Sequence, residues 1–289
     1  MCGRYVLEFD HDLYVGDRKV GTDIYNYNVA PTSTVPILVE RVVQETLFTR
    51  ELHAARWGLL PSWAKDASFS ARAFNARSET IFEKPTFRHA AVNGHCAVPV
   101  SGYYEWKTET LSSGKTQKTP YFIYRKDRKP IYFAGLYEWW KVTEAESVKE
   151  KSPYAGKMGE WVLSCSIITM DSPDEWAVAE LGESGLDEST TLRLSQLHDR
   201  LPVPLTFNGT EDDGVSTWLR SGKIAGETNL PSSGMITVSA SESLNELLDH
   251  AYTQTTEWTM HPVSQAVGNV RNNGPQLIEP TEDLLSGIL

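Results

Sequence analysis

At 289 residues and 32.4 kDa, with 40% hydrophobic and 22% charged residues, the chain has the composition of an ordinary globular protein with a substantial core. No apolar run approaches the ~20 residues that a membrane helix needs, and MCGRYVLEFDHDLY has neither the basic leader nor the apolar stretch of a signal peptide. The formal net charge of −11 argues against a nucleic-acid partner until it is divided along the chain. Residues 171–289 hold 5 Lys+Arg and 19 Asp+Glu, which leaves 22 and 19 for residues 1–170. The first part is therefore slightly basic, and its surface leaves room for a phosphate backbone.

Taken in chain order, short runs rich in β-branched and aromatic residues recur between Gly, Pro, Asn and Ser. They are VPILVE (35–40), HCAVPVSGYYEWK (95–107), TPYFIYR (119–125), PIYFAGLYEWW (130–140), EWVLSCSIITM (160–170) and GMITVSA (234–240). This density predicts a β-rich core with antiparallel pairing. Helical signals are fewer: a short helix opening at Arg77-Ser78-Glu79, another over DDGVSTWLRSG (212–222), and a capped amphipathic one over SESLNELLD (241–249). TETLSSGKTQK (108–118) reads as a hairpin linker, and the charged stretch 141–159 as a mobile insertion between strands. With no internal repeat and no composition break, the expectation is an α+β fold. It is a single β-rich domain over residues 2–280, built as antiparallel sheets or an open barrel with a few short helices, and followed by a tail at 281–289.

Three cysteines, Cys2, Cys96 and Cys165, are odd in number and far apart, which predicts reduced thiols in an intracellular compartment. Cys96 and Cys165 sit in apolar runs and read as buried packing residues. No CxxC or Cys/His cluster suggests zinc, and no metal or cofactor is expected. Cys2 differs from both. Trimming of Met1 would leave it with an α-amine and a thiol on adjacent carbons, with ordinary pKa values of roughly 8 and about 8.5. The amine can condense with an aldehyde to a Schiff base, and the thiol can then close a five-membered thiazolidine with the advantage of a tethered reactant.

Five further signatures accompany MCGRY. They are Trp57-Gly58-Leu59-Leu60-Pro61-Ser62-Trp63, Phe74-Asn75-Ala76-Arg77-Ser78-Glu79, Pro99-Val100-Ser101-Gly102-Tyr103-Tyr104-Glu105-Trp106, His198-Asp199-Arg200-Leu201-Pro202 and His261-Pro262-Val263-Ser264. In this order and spacing they resemble the SRAP (SOS response-associated peptidase) family from Cys2 to about Pro280. Leu201 stands where the family usually has methionine, an apolar exchange of similar volume.

The resemblance implies an enzyme that acts on abasic sites in single-stranded DNA, where the open-chain sugar presents an aldehyde. Cys2 then forms a thiazolidine crosslink that shields the lesion from strand cleavage. It also implies a catalytic set of Cys2, Asn75, Glu105 and His198. Asn75 would hold the Cys2 amine or the ring through its amide. Glu105, between aromatic rings, and His198 would move protons at the amine or the sugar oxygen. Arg4, Arg77 and Arg200 are the expected phosphate contacts, and Trp57, Trp63 and Trp106 the expected base-stacking or wedge residues. His261 reads as structural. The expected partner is single-stranded DNA containing abasic sites, also at single-/double-strand junctions, with no membrane. The protein would act as a monomer near the replication machinery, nuclear in a eukaryote or nucleoid-associated in a bacterium. Two alternatives stay open. One is a cysteine peptidase with Cys2 as thiolate, His198 as base and Glu105 as orienter. The other is a non-covalent reader of modified bases, which needs the arginines and aromatics but not Cys2.

Overall fold

The computed structural model describes residues 2–9, 14–15, 18–19, 24–44, 47–110, 113–180, 190–210, 213–224 and 239–281. The first strands are β1 (Arg4–Phe9), the two-residue pair β2 (Tyr14–Val15) and β3 (Arg18–Lys19), β4 (Ile24–Val29), β5 (Thr34–Gln44) and β6 (Leu47–Trp57). After the short β7 (Asn75–Arg77) come helix α1 (Arg88–Asn93) and strands β8 (His95–Val100), β9 (Gly102–Thr110), β10 (Thr116–Arg125) and β11 (Ile131–Lys141). A helical turn, α2 (Glu144–Ser147), leads to β12 (Trp161–Asp171). The remainder is more helical: α3 (Glu175–Glu180), α4 (Thr190–Leu197), β13 (Arg200–Pro202), β14 (Pro204–Leu205), α5 (Gly214–Ile224), α6 (Ala240–Thr255) and β15 (Trp258–Pro262).

Two large sheets organise these elements, beside the small β2–β3 pair. One has the order β15-β10-β9-β1-β4. In the other, β12, β6, β5, β8 and β11 follow in turn, and β11 pairs back onto β12, which closes a five-stranded barrel. Closure removes the unpaired edges that an open sheet would present. The barrel is filled by Ile37, Trp57, Val98, Phe133, Cys165 and Ile167, all fully buried. β7 and β13 add to β12, so Asn75 lies opposite Ile167 and Arg200 opposite Asp171.

The run HCAVPVSGYYEWK is two strands rather than one. It breaks at Ser101, where the chain leaves the barrel and enters the other sheet. Gly102 permits the crossing, because a Cβ there would stand 2.5 Å from the Phe122 ring. The capped helix begins with a capping box, Ser239 with Glu242, and runs further than its sequence signal, to Thr255. The helix expected at Arg77 is a single 3-10 turn over Ser78–Thr80. Of the strand expected over 234–240, residues 234–238 lie outside the described residues, and Ala240 opens α6.

The stretch 141–159, expected as a mobile insertion, makes contacts with the body of the fold. Buried Glu146 accepts the Ala67 amide at 3.2 Å, and Tyr154 meets the Trp140 ring edge-on. Within it, Lys149 bridges Glu146 and, outside the stretch, Asp66. Among the described residues no helix is long and apolar enough to cross a membrane.

Gly58, directly after β6, sits in a close backbone approach. Its φ is +133°, and an added Cβ would lie 2.2 Å from the Ser70 carbonyl oxygen. Gly58→Ala is expected to cost about 3 kcal/mol, from positive-φ strain together with a backbone clash. Chemical denaturation with an unchanged m-value would show it.

Candidate active site

The two sheets meet at Cys2. From β1, where Arg4 pairs with Tyr104, the chain reaches back beside Glu105 of β9. From the barrel side, β7 brings Asn75, whose Nδ2 donates to the Cys2 carbonyl at 2.7 Å. Cys2 is fully buried in the main core cluster with Tyr5 and Trp57. Trp57 fixes the approach of β7: its indole Nε1 donates to the Phe74 carbonyl at 3.0 Å, and its ring lies 4.7 Å from Tyr5 and 5.8 Å from Phe74. Asn75 Oδ1 is buried with no hydrogen-bond partner among the described residues.

Burial dominates the electrostatics. It pushes the Cys2 thiol up, and the nearby Glu105 charge adds to the effect. Glu105, 5% exposed, is likewise pushed up by desolvation, opposed by nearby positive charge that includes His198. Its Oε1 accepts the Trp106 amide at 3.3 Å. His198 arrives from the loop between α4 and β13. Its Nδ1 accepts the Arg200 amide at 3.0 Å and stands 2.6 Å from Asp199 Oδ1. Cys2, Asn75, Glu105 and His198 are thus brought together, linked by a hydrogen bond and by mutual electrostatic influence. Such a cluster sets groups able to exchange protons beside a buried nucleophile.

The expected DNA contacts divide. Arg77 is exposed at the end of β7 and forms no ion pair among the described residues. Trp63 is 53% exposed and packs edge-on against Phe69 at 5.2 Å. Trp106 is half-buried against the Tyr104–Phe122 cluster. Arg4 is turned toward the C-terminal segment, donating to Asn28 Oδ1 at 2.8 Å and to the Val267 carbonyl at 2.9 Å.

Two expectations need correction. Trp57 is a core anchor with no exposed surface, so no base can reach it. Arg200 is 8% exposed, and its guanidinium is engaged by Glu79, Asp171 and the Thr169 carbonyl. Both carboxylates are more exposed than the arginine, so the pairs hold the Glu79 turn and β13 to β12 rather than present a donor fork to DNA. Missing from the sequence reading was Asn28, which is buried and donates to the carbonyls of Val267, Asn269 and Asn272, binding the C-terminal segment beside Arg4. Asn26 and Asn28 alternate with tyrosines in IYNYNV, and nothing in that run singles out Asn28 for the role. His261 is structural, as expected, with Nε2 at 2.7 Å from the Ile278 carbonyl. Leu201 is buried in the core, where a similar apolar volume suffices.

The Glu105 shift has a stability consequence. The folded carboxyl keeps its proton to higher pH than the unfolded chain does. Stability therefore falls as pH rises from the ordinary glutamate value, ~4.3, through the raised one. Glu105→Gln is expected to melt at a higher temperature than the parent above that window, with the difference closing near pH 4; thermal melts across pH would measure it.

Comparison with known proteins places these observations in a family. The model of the SOS response associated peptidase (SRAP) family matches residues 1–270. The abasic site processing protein YoqW of Bacillus subtilis is 30% identical over 96% of this chain and 99% of its own length. The abasic site processing protein HMCES of Mus musculus is 29% identical over 90% of this chain and 66% of that protein. A crystal structure of a Bordetella bronchiseptica protein shares the fold, with a TM-score of 0.55 at 20% identity, covering 91% of this chain and 100% of that one. The motif order, the cluster around Cys2 and the family match agree, and the chain belongs to the SRAP family.

Proposed function

We propose that this protein processes abasic sites in DNA by capturing the lesion's aldehyde on Cys2 once Met1 has been removed. The observation that carries the reading is the cluster at the start of β1: a buried Cys2 held by Asn75 at 2.7 Å, with a pKa-raised Glu105 and His198 beside it. The names of the relatives, abasic site processing proteins, support it independently.

The chemistry follows from residue types. A proton from Glu105 or His198 to the sugar ring oxygen, with the anomeric hydroxyl giving its proton to solvent, breaks the C1′–O4′ bond and opens the hemiacetal to the aldehyde. The Cys2 amine adds to C1′ and water leaves, forming the imine. The thiol then adds to the imine carbon, its proton passes to nitrogen, and the thiazolidine closes with one water lost overall. Asn75 Oδ1, with no partner now, is suited to accept from the nitrogen so formed.

The peptidase alternative fits less well. A cysteine nucleophile needs a depressed thiol pKa, whereas burial and Glu105 push that of Cys2 up. Capture begins at the amine and asks the thiol to react only after tethering.

On single-stranded DNA with one abasic site, the mature protein should give a heat-stable adduct on a denaturing gel, and Cys2→Ala none. Cys2→Ser should give only a borohydride-reducible imine. A form with an uncleavable extension before Cys2 should show no mass increment. A stable adduct from Cys2→Ala or from the extended form would overturn the reading.

The exposed Arg77 is the proposed phosphate contact, and Trp63 the proposed stacking surface for a base. Arg77→Ala should weaken binding of undamaged single strands regardless of sequence and reduce the salt slope by about 0.7. Anisotropy titrations at several salt concentrations measure both.

A further inference from the structure

Two of the residues gathered at Cys2 are each followed, two positions on, by a cation. Asn75 and Arg77 lie on β7, Glu105 and Lys107 on β9. Successive side chains of a strand alternate between its faces, so each cation shares its neighbour's face and stands roughly 7 Å further along. On β9 a third residue marks that face: Tyr121, the cross-strand partner of Glu105, is within electrostatic reach of Lys107. The face therefore runs outward from a buried carboxyl to an ammonium that meets solvent.

Lys107 has a second cation beside it. Arg193 of α4, the helix that leads into His198, is within electrostatic reach of Lys107. Its Nη2 donates to the Met260 carbonyl at 3.3 Å, and it forms no ion pair among the described residues. Lys107 is paired with Glu109 at 2.8 Å, and the two side chains are 33% and 48% exposed. An exposed pair of that kind is worth at most about 1 kcal/mol, so a phosphate can displace Glu109 readily. Two neighbouring cations with one exposed carboxylate leave a net positive charge on the sheet side of Cys2, as Arg77 does on the barrel side.

We propose that Lys107 and Arg193 form a second phosphate-binding site, which holds the backbone of the lesion strand on the side of the abasic nucleotide opposite to the one that Arg77 holds. This rests on the capture reading above and extends it from one anchoring point to two. Cys2 lies between β7 and β9, so a strand whose abasic sugar reaches Cys2 passes from one cation to the other. Two anchors fix the sugar carbon along the strand direction, where a single one would let the backbone slide. The ligand is the phosphodiester backbone, without regard to the bases on either side.

Anisotropy titrations with undamaged single strands at several salt concentrations give the first readout. Lys107→Ala should bind several-fold more weakly with a salt slope reduced by about 0.7, and its combination with Arg77→Ala should reduce the slope by about 1.4. Lys107→Arg should match the parent, and Lys107→Ala should melt with it, because the Lys107–Glu109 pair contributes little to stability. Sidedness is the second readout. Abasic strands carry one uncharged methylphosphonate linkage on either side of the lesion, and adduct formation is timed at subsaturating DNA. Neutralising one side should slow the parent but not slow Lys107→Ala further, and on the other side the same immunity should belong to Arg77→Ala. An unchanged affinity and salt slope in Lys107→Ala would overturn the proposal. So would a Lys107→Ala protein as sensitive as the parent to every methylphosphonate, or immunity of both variants on the same side. Absence of any Cys2-dependent adduct in the parent would instead sink the capture reading, while the salt slopes on undamaged strands would still report on Lys107.

Discussion

The hydrogen bond from the Asn75 amide to the Cys2 carbonyl joins the two halves of this molecule at the point where its chemistry is concentrated. Cys2 belongs to the sheet side and Asn75 to the barrel side, and the contact exists only because both are in place. On the barrel side, Trp57 holds Phe74 through its indole N–H, and β12 pairs with β7 across Ile167 and Asn75. On the sheet side, β9 pairs with β1 and sets Glu105 beside the chain start. An isolated amide bond of this kind contributes only about 1 kcal/mol net, so its importance is geometric: it reports that two large packed units have met in register.

Enclosing a thiol and a carboxyl there has a cost the rest of the fold must offset. Both groups are desolvated, and both hold their protons beyond their ordinary range. A chain under selection for stability alone would place apolar side chains in this position. Retaining Glu105 next to a buried cysteine costs stability that an apolar residue in its place would not. The large buried aromatics around it, Tyr5, Trp57, Tyr103 and Tyr104, supply compensating burial and exclude water.

Side chains of the same type serve opposite ends near this site. Trp57 and Trp63 flank one turn, yet the first is sealed in the core and the second stands half in solvent against Phe69. Arg77 and Arg200 both flank the cluster, yet the first faces solvent and the second is locked among carboxylates. Construction and contact are thereby separated: the inward residues hold the site rigid, and the outward ones remain available to a ligand.

Much of this was legible in the amino-acid order, because short β-branched and aromatic runs bounded by turn residues can bury themselves only as strands. The spacing of the six motifs likewise carried the family, and the aminothiol reactivity of Cys2 is a local property that needs no fold. What tertiary structure alone decided was direction and partnership. Arg200 turns inward because Glu79 and Asp171, 121 and 29 residues away in sequence, arrive beside it. The run through Ser101 reads as one strand, since the change of sheet depends on the room that Gly102 leaves for the Phe122 ring. The stretch 141–159 looks solvated until the Ala67 amide meets Glu146. Each of these outcomes depends on which distant surface folds against a residue, and a side chain's own chemistry does not encode what will cover it.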